Sequence, residues 1–328
     1  MIKLKSKFSF ILILIALFGS LFFSCRGSYI FAAIENEIKL KVPTAPGTIR
    51  DVIQIGEKLY AANGRVLTKS AFSTGSWSNI GNPEGMCSGI ATDGTTLFAS
   101  FIDIYTDNSK GIYYYDGSWK PVPGTNNCWV VRGSGTVFAA TKNTGPIYTV
   151  TKTRITAIGS GILKACGGNY YSNGTAVYNS DGTPYANLSG VIAIDNTGTY
   201  FLTANSVCRA SDTSKAYSHG ISDPSDMTLI QIDGKDVLLV SSGDGGYSAI
   251  TIANSSDITK SSTVRAGFTD NVKQYESSVG KYSINRIFAG TKNATTYYIY
   301  LGVNDSNYAK YSGLWGYYSY EKKEWNRE

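Results

Sequence analysis

Residues 86–122 read MCSGIATDGTTLFASFIDIYTDNSKGIYYYDGSWKPV. Short apolar runs are punctuated by Asp93-Gly94 and Asp116-Gly117. Asp-Gly between such runs marks a tight hairpin, because a type I′ turn needs positive φ at both central residues. The stretch divides into an inner strand Met86–Thr92, a second strand Thr95–Phe101, a third Lys110–Tyr115 and an outer strand Trp119–Val122. Alternation puts Ile112 and Tyr114 on one face and Tyr113 and Tyr115 on the other. The three tyrosines therefore read as sheet packing, with Trp119 between neighbouring sheets, and not as an aromatic binding patch.

The unit recurs. Gly75-Ser76-Trp77 returns as Gly117-Ser118-Trp119, 42 residues on. The strand Leu59-Tyr60-Ala61-Ala62 returns as Leu97-Phe98-Ala99-Ser100 and as Val137-Phe138-Ala139-Ala140, at spacings of 38 and 40. Weaker copies follow at Tyr170, Tyr200, Val237 and Tyr297. A period near 40 residues built from short strands is the pattern of a β-propeller, one four-stranded blade per repeat. The expected fold is all-β: a single propeller of about seven blades over residues 48–328, with six or eight as alternatives. Repeats four and five are short, and Ala266–Gly280 reads as an insertion before the last. Inner strands crowd round the axis, and small residues such as those of Ser88-Gly89-Ile90-Ala91 suit that place. Two segments could close the ring on the last blade: Glu37–Val42, which alternates charged and apolar residues, or Trp325–Glu328.

The N-terminus speaks of location. Lys3, Lys5 and Lys7 precede an almost unbroken apolar run, Phe8–Phe23, the form of a secretory signal and short for a membrane span. Leu21-Phe22-Phe23-Ser24-Cys25 follows. This resembles a bacterial lipobox, in the relaxed form of spirochaete lipoproteins. The resemblance implies residues 1–24 as a cleaved signal peptide and Cys25 as the lipidated residue, followed by a tether over residues 25–47. Several acyl chains anchor a protein stably where one is marginal. The expected setting is the cell envelope, held to a membrane by lipid. Arg26 follows Cys25 where the retention rule of enteric bacteria would need Asp, which favours the outer membrane.

Chemistry is sparse. The formal charge is +6 and three of those lysines lie in the leader, so the mature chain is too mildly basic to argue for nucleic acid. His219 is the only histidine, placed in the turn-like Ser218-His219-Gly220; a surface or turn role is expected ahead of a Ser-His-Asp site. Cys87, Cys128, Cys166 and Cys208 form no CxxC pair, so no metal or other cofactor is expected. The first three fall on expected inner strands, which favours buried thiols over disulfides. Ser242-Gly243-Asp244-Gly245-Gly246 is a partial match to the sialidase Asp-box, itself a structural turn.

Three functions fit. The favoured one is a non-enzymatic platform for a protein or glycan partner. The second is a role in outer-membrane protein assembly, because Ala91–Ala99 followed by Gly111-Ile112-Tyr113 resembles the repeats of propeller lipoproteins with that role. The third is an enzyme acting on envelope glycans, for which acids and arginines gathered in the central funnel would speak. No catalytic residue stands out from the sequence.

Overall fold

The computed structural model describes residues 45–254, 257–265, 280, 282–293, 295–307, 309–321 and 325–328. The expected signal peptide, Cys25, the Glu37–Val42 strand and all but Gly280 of the expected insertion lie outside these residues. The described residues form seven four-stranded antiparallel sheets, each running inner to outer in chain order. They make a seven-bladed β-propeller. The inner strands are Asp51–Ile55, Met86–Thr92, Val130–Arg132, Ala165–Gly167, Val191–Ile194, Pro224–Ile232 and Ile284–Asn293.

The second blade follows the reading above closely. Its strands are Met86–Thr92, Leu97–Ile102, Ser109–Tyr115 and Trp119–Pro121. Gly94 and Gly117 both adopt positive φ, as their turns require. Ile112 is fully buried toward the third blade, with Tyr114 beside it. Tyr113, Tyr115 and Trp119 pack toward the first, in one cluster with its Ile53 and Tyr60 and with Phe101 of their own blade. The Trp119 indole donates to the Gly81 carbonyl at 2.8 Å, tying blade two to the end of blade one. The tyrosine run is scaffold. Full burial of a large apolar side chain is worth about 1.5–3 kcal/mol; Ile112 is fully buried, and the tyrosines and Trp119 are partly buried.

Blades also join by backbone. The Thr92 amide donates to Gly133 and the Gly135 amide to Thr92, each at 3.0 Å. The ring closes through the second of the two expected segments. Asn326–Arg327 is the outer strand of the last blade. Ala45 then lies against that blade: its amide donates to Glu328 and its carbonyl accepts from Leu314, both at 3.0 Å.

Candidate functional site

A cavity of about 110 Å³ sits on the axis, walled by inner-strand residues of six blades. Asp51, Arg132, Asp226 and Arg286 face it from the first, third, sixth and seventh. The sequence reading expected small residues here. Gly89 and Gly167, on inner strands outside the cavity lining, fit that expectation; the four charges that line the cavity correct it. Asp51, Asp226 and Arg286 lie within the first three residues of their inner strands and Arg132 ends its own. A signal existed: in Asp51-Val52-Ile53 and Arg286-Ile287-Phe288 a charged residue opens an apolar run.

Each charge is held by neighbours. The Asp51 carboxylate accepts from the Val52 amide at 2.9 Å. Burial pushes its pKa up to about 6, against the pull of Arg286. Asp226 accepts from the Ile287 amide at 3.1 Å, and burial raises it likewise. The Arg286 guanidinium donates to the Arg50 carbonyl at 2.6 Å and to the Asn285 carbonyl at 2.8 Å, bracing blade seven against blade one. Arg132 makes one long bond, 3.4 Å to the Lys164 carbonyl, and burial lowers its pKa. Among the described residues no Asp–Arg pair here comes within 4.0 Å. Asn196 Oδ1 and Thr228 Oγ1 line the same cavity, buried and without a hydrogen-bond partner.

A second feature lies on the rim of blades two and three. The loop after Leu97–Ile102 carries Ile104 and Tyr105, 59% and 92% exposed. It is braced from below. Asp103 accepts from the Tyr105 and Thr106 amides at 2.9 and 3.0 Å, which holds its pKa below the usual carboxylate range. Asp107, at φ +58, pairs with Lys142 and accepts from the Trp129 indole at 3.1 Å. Beside the loop is an open basin of about 440 Å³ lined by Asn126, Asn127, Trp129 and Asn143.

The residues singled out from sequence mostly lie apart from both places. His219 is 4% exposed, so the surface alternative is excluded. Its Nδ1 accepts from the Ile221 amide at 3.0 Å and Nε2 faces the Thr203 carbonyl at 3.2 Å. Both ring nitrogens thus serve the backbone, and no Ser-His-Asp arrangement forms. Cys87, Cys128, Cys166 and Cys208 are free thiols. Cys87 and Cys166 lie on inner strands, Cys128 just ahead of one and Cys208 on a third strand. Only Cys166 touches the axial cavity, and burial pushes it up to about 12. Ser242–Gly246 is a turn in which Ser242 caps the Asp244 amide at 3.2 Å.

Fold and geometry thus define a class: a seven-bladed propeller with a charged axis and a braced aromatic rim. The model of the TP013X lipoprotein family matches residues 6–142. Two uncharacterized lipoproteins of Treponema pallidum (strain Nichols) align with most of the chain. One is 27% identical, over 94% of this chain and 97% of its own. The other is 26% identical, over 93% of each. Among solved structures, the WD40 beta propeller domain of Doa1 is 13% identical with a TM-score of 0.47, covering 86% of this chain and 96% of that one. The chain thus resembles spirochaete lipoproteins in sequence along most of its length, and its described residues form a propeller.

Proposed function

We propose that the propeller is a non-enzymatic binding platform, and that the rim of blades two and three is its contact surface. The carrying observation is Tyr105. An aromatic ring left 92% exposed sits on a loop whose backbone Asp103 and Asp107 already hold in place. Ordering costs on binding are then small, and rigid aromatic anchors carry a disproportionate share of interface energy. Asn126, Asn127 and Asn143 beside it supply amides that suit a protein or glycan partner. Lipid anchorage, with the outer membrane favoured by Arg26, would present this rim to other envelope components.

The charged axis is the feature expected of a glycan-acting enzyme. The axial cavity itself is small for a sugar ring: it is about 110 Å³, where an enclosed cavity of about 150 Å³ holds one benzene. The test is affinity capture from the native envelope with the acylated full chain, followed by mass spectrometry, beside an Ile104→Ser/Tyr105→Ala variant. Partners recovered by the wild type and lost by the variant support the rim. Equal recovery by both sinks it. Recovery of outer-membrane assembly components at the rim would name the partner, and turnover of envelope glycans by the purified chain would overturn the non-enzymatic reading.

A further inference from the structure

We propose that the axial cavity is a binding site for a small zwitterion of the α-amino acid class, of glycine, alanine or serine size. The argument is one of charge, satisfaction and volume. Two arginines and two aspartates face one space from four different blades, and Lys164, itself exposed to solvent, lines its edge. They do not pair with each other within 4.0 Å among the described residues. A buried charge is costly unless it is paired and hydrogen-bonded. An anion would satisfy Arg132 and Arg286 but meet Asp51 and Asp226; a cation would do the reverse. A molecule carrying both signs satisfies all four.

The uncharged groups agree. Thr228 is 2% exposed and its hydroxyl lacks a partner; Asn196 Oδ1 is a buried acceptor that lacks one too. An ammonium has three donors and can serve Asn196, Thr228 and a carboxylate together. A carboxylate suits the planar fork of Arg132, most of whose donors are uncommitted. Arg286 is fixed in place by two carbonyls. A site whose groups are held before the ligand arrives loses less on binding. The volume of about 110 Å³ leaves no room for a large side chain. A wider, uncharged vestibule of about 340 Å³, lined by Gln54, Ser134 and Gln231, shares Ser134 and Asn196 with the cavity and gives a route in.

The inference stands apart from the rim, and its failure would leave the rim untouched. The test is isothermal titration of the full chain in detergent with glycine and L-alanine. Acetate, methylammonium and L-phenylalanine serve as comparators. Glycine or alanine should bind, each half-molecule at least tenfold more weakly, and phenylalanine not at all. Asn196→Ala removes an atom that makes no hydrogen bond, so the fold should tolerate it while affinity falls. Arg132→Gln should abolish binding with little change in melting temperature. No heat with glycine or alanine at millimolar concentration overturns the proposal. So does acetate binding as tightly as glycine, which would make the site a plain anion site, or unaltered affinity in both variants.

Discussion

The Lys69 ammonium of the first blade donates to the Glu328 carboxylate of the last at 2.7 Å, both side chains being almost wholly buried. The same carboxylate accepts from the Trp77 indole at 3.0 Å and from the Tyr318 hydroxyl at 2.5 Å. Lys69 also donates to Tyr318 at 2.6 Å and lies over the rings of Trp77, Tyr300 and Tyr318. A ring of blades is only as stable as its closure, because only there do blades distant in sequence meet. Here a charge pair inside an aromatic box reinforces the backbone bonds of Ala45.

Glu328→Gln keeps the shape and removes the charge. Lys69 is then buried without its counter-ion, a change that costs about 3–5 kcal/mol. The variant should show a markedly lower melting temperature and a lower guanidinium midpoint by circular dichroism. An unchanged melting temperature would mean that the blade-one to blade-seven contact contributes little to holding the ring.

Much of this architecture was legible in the chain, and the reason is repetition. The Asp-Gly turns and the alternation of Ile112 to Tyr115 are local signals, and copying reinforces them. Glu328, Lys69 and the axial Asp51, Arg132, Asp226 and Arg286 were not legible. Each occurs once, on one blade: Lys69 and Glu328 meet only where the two ends of the chain come together, and the axial charges share one space only when the ring is closed. Lys69 in particular reads as an ordinary exposed strand lysine until blade seven covers it. Tyr105 was hidden differently: among 24 tyrosines, nothing local separates the one that is most exposed among the described residues.

Crowding at the inner strands can be measured at Gly89. A Cβ placed there would meet the Val131 carbonyl oxygen at 2.5 Å and Val130 Cγ2 at 3.2 Å, on the neighbouring inner strand. Backbone cannot yield as a flexible side chain can. Gly89→Ala should therefore destabilise the fold by about 1–3 kcal/mol, read as a shift in denaturant midpoint. Tolerance of alanine would show that blades two and three can move apart freely.

Asp51 makes stability depend on pH in an uncommon direction. Its folded pKa, about 6, lies above the ordinary value of 3.8. Between those values the folded protein holds a proton that the unfolded chain has lost. This residue's contribution is thus fully present below about pH 4 and is lost as pH rises toward 6, by up to about 3 kcal/mol. Asp51→Asn keeps the acceptor for the Val52 amide and cannot ionise. Its unfolding free energy, compared with wild type from pH 4 to 7, should lack that decline and exceed wild type at pH 7. Parallel profiles for the two proteins would show that Asp51 titrates normally.

His219 works the other way, and its being the sole histidine makes the test clean. Nδ1 accepts from the Ile221 amide, so in the fold the proton sits on Nε2, which donates to the Thr203 carbonyl. Burial lowers the pKa below the ordinary 6.5, and adding a proton at Nδ1 would set two donors against each other. Because the folded pKa is depressed, the histidine's contribution is complete above pH 6.5. It falls away in acid as the unfolded chain takes up a proton that the fold resists. The imidazole Hε1 resonance of the folded protein should stay at its neutral position through pH 6.5 and shift only at lower pH. A midpoint at 6.5 would place the ring in solvent and remove the turn that joins blades five and six from the buried framework.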